Sequence, residues 1–252
     1  MAIYISLTSI FQRQHTLFKC LTSILRLHLR PTKCFIYLSE EPYLIDKGFK
    51  NKEITNDNLK KILENNIFQV KWVKNTGPYR KLIPLLKEKW DENCLIFTFD
   101  DDLILHPQIL SYYMNDFIKY RCCISYRGFN TTINNIDEFN YSNRTKQSTR
   151  SKFNFANSGV GMITHPAFFH KEDLILNEDI FLKICPTADD LWYYICRVLN
   201  NIPTIIVPYE NRLFSVGYDR DTALWHNYNE FKNKTIFKNI IAFLKKKGIS
   251  FI

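Results

Sequence analysis

The sequence predicts an α/β protein built on a mostly parallel sheet flanked by helices, and three observations predict it. Four apolar runs rich in β-branched and aromatic residues, Ala2 to Leu7, Cys34 to Leu38, Ile67 to Val73 and Cys94 to Phe99, alternate with stretches of helical apolar spacing. Each gap is longer than the crossover of about a dozen residues that parallel strands require. Hydrophobic residues make up 46% and aromatic residues 15% of the 252, enough for a sizeable core, while 7 Gly and 9 Pro exclude collagenous or linker-dominated chains.

Taken in order, Ala2 to Leu7 is a strand ending in the polar turn Thr8-Ser9, and His15 to Leu29 is a helix that stops before Pro31. After the second strand, Asn58 to Asn65 reads as a helix, Ile67 to Val73 as a strand, and Tyr79 to Trp90 as a helix opened by Gly77-Pro78. The fourth strand follows. A helix after Pro107 and a short strand at Cys122 to Tyr126 lead into Arg127 to Asn154, a polar stretch whose length and composition fit a lid or binding loop. Beyond it come a small-residue turn and strand over Asn157 to Thr164, a helix from Ala188 to Leu199, a strand at Thr204 to Val207 and a helical tail. No repeat is visible, so the chain reads as one domain: a ligand-binding half over 1–102, a second half over 103–227 and the tail over 228–252.

The net charge of +9 implies acidic company, such as nucleic acid, anionic lipid or a phosphorylated substrate. A nucleic-acid binder would cluster its bases with exposed aromatics, whereas here they are spread along the chain, so no nucleic-acid partner is expected. The 7 Cys form no CxxC pair and no zinc spacing, which indicates free buried thiols and a reducing cytoplasm. No apolar run approaches the roughly 18 residues of a membrane span, and the start lacks the basic residues and cleavage site of a signal peptide. In the tail, Ile236, Phe237, Ile240, Ile241 and Leu244 form one stripe followed by Lys245 to Lys247. That pattern serves equally for core packing and for peripheral docking on the inner face of the cytoplasmic membrane.

Asp100, Asp101 and Asp102 follow the fourth strand directly and so stand at its carboxyl end, where open α/β sheets bind ligands. Adjacent carboxylates need a counter-charge, and a divalent cation supplies it. Gly77 permits close approach of backbone to a ligand, and Arg80 and Lys81 in the following helix suit a diphosphate. Ser158 and Gly159, in Asn157-Ser158-Gly159-Val160-Gly161, form a second small-residue turn, readable as a ligand wall or a bulge. Asp189 and Asp190 open a helix, with Thr187 three residues before Asp190 in a near-capping box. They are either cap and dipole partners or catalytic acids.

In these residues and their order, the chain resembles the GT-A glycosyltransferases over most of its length, to about Asn227. The resemblance implies a Rossmann-like GT-A fold, with Mn²⁺ or Mg²⁺ and a UDP-sugar as cofactor and donor, Asp100 and Asp102 as metal ligands, and His226 as a further candidate ligand. It implies that Ile5 to Ile10 with Arg13, including Leu7 and Thr8, contact the donor, together with Gly77, Arg80, Lys81, Asp101, Ser158 and Gly159. It further implies an inverting transfer to a bacterial surface glycan or lipid-linked glycan, with Asp190, or else Asp189, taking the acceptor proton.

Overall fold

The computed structural model of the chain describes residues 1–131, 145, 148–169, 172–207, 213–215, 221–229 and 232–249. The first half follows the predicted alternation: β1 (Ala2–Thr8), α1 (Gln14–Ile24), β2 (Lys33–Leu38), α2 (Asp57–Leu63), β3 (Phe68–Trp72), α3 (Ile83–Glu88) and β4 (Cys94–Thr98). The second half adds β5 (Leu103–Leu105), α4 (Ile109–Tyr120), β6 (Cys123–Ser125), β7 (Gly128–Asn130), β8 (Asn154–Ala156) and β9 (Met162–Thr164). It closes with α5 (Glu172–Ile175), α6 (Glu178–Ile184), α7 (Asp189–Leu199), β10 (Thr204–Ile206), β11 (Leu213–Ser215) and α8 (Asn233–Lys246).

Seven strands form one sheet in the order β10-β6-β9-β4-β1-β2-β3. All neighbours are parallel except β9, which runs against both β4 and β6. Alternation along the strands sends side chains to two separate cores. Ile3, Ile5 and Leu7 of β1 pack with Leu17, Leu21 and Ile24 of α1, Leu59 of α2 and Leu110 of α4. Tyr4 of the same strand joins Ile83 and Leu86 of α3, the apolar side of α7, and α8 in the other. Helices therefore cover both faces, the arrangement that lets a parallel sheet be apolar on each.

Several elements differ from the sequence reading. Gly77–Lys81 is a 3-10 turn, and the α-helix starts only at Ile83. Pro84 lacks an N–H and is tolerated only in a first turn, so the helix cannot begin at Tyr79 and run through it. The expected lid opens and closes with a ladder: β7 pairs with β8, and Asn130 Nδ2 donates to Asn154 Oδ1 at 2.9 Å. Asn154 in turn donates to the Thr204 carbonyl at 2.7 Å, binding this ladder to β10. Most of the rest of the lid lies outside the described residues. The seven cysteines are free and buried. Among the described residues no helix is long and apolar enough to cross a membrane.

The tail's apolar stripe is core. Ile236, Phe237, Ile240, Ile241 and Leu244 are all buried within the α7 side of the sheet, so they present no apolar face to a bilayer, whereas Lys245, Lys246 and Lys247 remain exposed. Ile240→Ala should cost about 2–5 kcal/mol through lost burial and a cavity. For a chain of this size that is a fall of about 4–20 °C in melting temperature. Lys246→Ala should melt like the parent, and a parent-like Ile240→Ala melt would show that α8 is not part of the core.

Candidate active site

The carboxyl ends of β1, β2, β3, β4 and β6 point to one edge of the sheet, and the loops leaving them line a cleft of about 620 Å³. Because β9 runs antiparallel, its preceding turn, Asn157 to Val160, arrives at that same edge. This explains how a small-residue turn far along the chain joins the strand-end loops. Two more segments complete the cleft: Thr187 to Asp190 at the start of α7, and residues 222–229.

The acidic run after β4 is held by basic and hydroxyl groups. Lys81 is 5% exposed and its ammonium lies 2.6 Å from Asp100 Oδ1 and 3.7 Å from Asp189 Oδ2. Ser6 Oγ donates to the Lys81 carbonyl at 2.6 Å, fixing its backbone to β1. Burial opposes the charge on Lys81, but Asp100 and Asp189 outweigh it and push its pKa up. Burial also opposes ionised Asp100, and there Lys81 prevails and lowers the pKa. Asp101 accepts from the Ser9 hydroxyl and from Arg13 Nη1, the latter at 2.9 Å. Asp102 has Arg13 at 3.8 Å; burial and the charges of Asp100 and Asp101 outweigh it and push its carboxyl up to about 7.

Although the chain as a whole carries a net charge of +9, among the described residues six carboxylates line the cleft (Asp46, Asp100, Asp101, Asp102, Asp189, Asp190) against four permanent cations (Arg13, Arg80, Lys81, Arg127). A divalent cation would balance this excess. The residues fit such an ion: Asp102 is a carboxylate short of positive charge, and Gly159 packs so closely that a Cβ there would stand 2.3 Å from Asp100 Oδ2. His226 lines the same cleft, but among the described residues no three His, Cys, Asp or Glu side chains are grouped to hold a metal. Two carboxylates suit Mg²⁺ or Mn²⁺ completed by phosphate oxygens and water rather than caged by protein.

Thr8, Arg13, Gly77, Arg80, Lys81, Asp101 and Gly159 also line the cleft. Gly77 has φ +64°, and a Cβ would meet the Tyr43 ring at 3.2 Å. Leu7 is a core side chain, because strand alternation turns it away from the strand-end loop. Thr8 donates to the Tyr37 carbonyl at 2.7 Å. Arg80 is 1% exposed; it bonds Gly77 O, Ser39 Oγ and Asp46 Oδ2, the last at 2.9 Å. It thus braces the loop after β2 against the loop after β3. Asp46 was not singled out from the sequence, since nothing nearby in the chain marks it as the partner of Arg80.

The acidic pair of α7 does not cap its helix. Ala188 is the N-cap and makes no side-chain cap, while Thr187 stands one residue too early and donates to Asn229 Oδ1 at 2.6 Å. Asp190 Oδ1 instead accepts from the Ser158 N–H at 2.9 Å and from the Ser158 hydroxyl. Ser158 is fully buried and acts through Asp190. Asp189 Oδ2 is buried without a hydrogen bond, and burial with the charges of Asp190 and Asp100 overcomes Lys81 to raise its carboxyl to about 7. Trp192 is core, whereas Trp225 lines the cleft.

No protein-family model matches the chain, and no curated protein sequence matches it. Solved structures do. S. aureus TarS 1-349 in complex with UDP gives a TM-score of 0.56 at 10% identity, covering 88% of this chain and 62% of that one. TarS 1-349 in complex with UDP-GlcNAc gives 0.53 at 10%, covering 87% and 59%. S. aureus TarS gives 0.54 at 11%, covering 88% of this chain and 38% of that one. The chain therefore spans about three fifths of the length of TarS 1-349. At such identities the likeness is one of fold, and that fold, a mostly parallel sheet between two helical layers, is the Rossmann-like GT-A architecture.

Proposed function

We propose that the chain is a metal-dependent, inverting glycosyltransferase that moves a hexose or N-acetylhexosamine from a UDP-sugar to a hydroxyl of a bacterial surface glycan or lipid-linked glycan. The observation that carries this reading is the meeting in one cleft of the Asp100 to Asp102 run and the Asp189-Asp190 pair around Lys81. Sugar transfer needs two functions side by side: charge neutralisation at the departing diphosphate and a proton acceptor at the incoming hydroxyl. Asp100 and Asp102 would hold Mn²⁺ or Mg²⁺, which supplies Lewis-acid stabilisation of the diphosphate. Asp101, held by Ser9 and Arg13, is the candidate contact to the donor ribose or sugar. The wall of Tyr43, Leu44, Ile45 and Pro78 suits the planar base.

Asp190 takes the acceptor proton. Ser158 fixes its carboxyl plane, and for a general base reach and orientation come before pKa. Asp189 stays with Lys81 and sets the local charge. UDP and UDP-GlcNAc occupy solved structures of the same fold, which makes UDP-GlcNAc the donor to try first and UDP the product to test as a ligand. An anionic membrane surface would be met through Lys245 to Lys247, exposed at the end of α8.

Two outcomes test this reading. Asp102→Ala should abolish the Mn²⁺ dependence of UDP-GlcNAc binding measured by calorimetry, with the melting temperature kept, because removing one of three like charges relieves repulsion. A variant that retains the full Mn²⁺ dependence would remove Asp102 from the metal site.

The acidic pair should separate by behaviour. Asp190→Asn should lose 10²–10⁴-fold in turnover with donor affinity unchanged, the loss typical of a positioned base. Asp189 binds its proton more tightly in the fold than in the unfolded chain, so its contribution to stability is present at low pH and is lost as pH rises toward about 7. Asp189→Asn should therefore melt above the parent, by a margin that widens from pH 4 to pH 7 and then levels. Full turnover in Asp190→Asn, or a pH-independent margin for Asp189→Asn, would overturn the respective assignment.

A further inference from the structure

Residues 222–229 cross the cleft as a strap pinned at both ends to residues distant in sequence. At one end Arg13 Nε donates to Thr222 Oγ1 and Nη2 to the Thr222 carbonyl, each at 3.0 Å, while Nη1 holds Asp101. At the other end the bonds are reciprocal: the Thr187 hydroxyl donates to Asn229 Oδ1 at 2.6 Å, and Asn229 Nδ2 donates to the Thr187 carbonyl at 2.8 Å. Both residues are buried, at 5% and 8% exposure. Between the two pins, Ala223, Leu224, Trp225 and His226 line the cleft.

The second pin sits two residues before Asp189, on a helix start that has no side-chain cap. Thr187 precedes the N-cap Ala188, so its hydroxyl is not taken up by the helix's own N–H groups. Here it is turned to the strap. We propose that Thr187 and Asn229 are positioning residues: their paired bonds fix the start of α7, and with it Asp190, against the strap wall of the cleft, so that the incoming hydroxyl is held in register with its base. The inference rests on the glycosyltransferase reading. It adds to that reading a pair of cleft-lining residues whose part is to hold Asp190 in place.

The test uses hydrolysis of UDP-GlcNAc, in which water stands in for the acceptor. The water oxygen bonds the anomeric carbon as the bond from that carbon to the UDP oxygen breaks, the water proton passes to Asp190, and UDP leaves with the bonding pair. Thr187→Val removes only the hydroxyl. It should lower kcat by about 10- to 100-fold, the scale of a displacement near 1 Å at a reacting centre, with KM for UDP-GlcNAc within about twofold of the parent. Thr187→Ser should restore the parent rate. The double variant Thr187→Val/Asn229→Leu replaces both side-chain partners with apolar groups and leaves only the Thr187 carbonyl without its donor, so it should melt closer to the parent than Thr187→Val does and still turn over slowly. It also decides the matter should the single variant fail to fold.

A parent-like kcat in Thr187→Val, or recovery of kcat with melting temperature in the double variant, would overturn the proposal and leave the pair a packing contact. A parent protein that neither binds nor hydrolyses UDP-GlcNAc would instead overturn the functional reading. The clamp is then read by hydrogen exchange in Thr187→Val. Faster exchange at both 222–229 and 189–192 supports it, and unchanged exchange at either overturns it.

Discussion

One buried ammonium holds the cleft together. Lys81 lies between Asp100, at the end of β4, and Asp189, at the start of α7, with its own backbone bound to β1. Without a cation there, carboxylates from two distant parts of the chain would be driven apart in a poorly solvated place. The position of Lys81 depends on the 3-10 turn before it. That turn depends on Gly77 at positive φ and on Arg80, whose guanidinium ties the loop after β2 to the loop after β3. Chain reversal, buried ion pair and acidic cluster are thus successive links, each requiring the one before.

Legibility followed length and locality. The four strands of the first half could be read because each is five to seven residues long; β1, β2 and β4 are buried along most of their length, so their apolar runs are continuous, while the edge strand β3 alternates apolar Phe68, Val70 and Trp72 with polar Gln69 and Lys71. β5 to β11 have three residues each, too few to display a period; β6, β9 and β10 were read from short apolar runs, whereas β5, β7, β8 and β11 were not. In the site, Asp100 to Asp102 were visible because strand-end position is a local property. Arg13 with Thr222, Arg80 with Asp46, and Thr187 with Asn229 were not, since each pair is separated by 34 or more residues and neither partner marks the other. The near-capping box at Thr187 misled for the same reason. The pattern was local, but the helix starts one residue later than it implies, and the hydroxyl of Thr187 goes to a distant amide.

The charge distribution qualifies what a basic chain implies. The protein carries a net charge of +9, yet among the described residues its cleft holds more acids than bases. Overall positive charge draws an anionic ligand toward the surface. The acids of the cleft repel an anion that arrives without a cation. Under the proposed function, a diphosphate entering with its counter-ion already bound is favoured by both fields.

The ladder between β7 and β8 has a consequence for how the protein can change. Asn130 and Asn154 face each other across it, so the chain leaves the scaffold and re-enters it at adjacent points. The return is tied to the sheet as well: the Ser148 N–H donates to the Ile206 carbonyl, and Ser151 bridges Thr204 of β10. Doubling the length of an excursion between such fixed points costs only about 0.6 kcal/mol in closure entropy. Descendants can therefore change the number of residues between 131 and 148 while the ladder and the bonds to β10 keep their register, so variation can accumulate there at little cost to the scaffold that carries Asp100, Lys81 and Asp190.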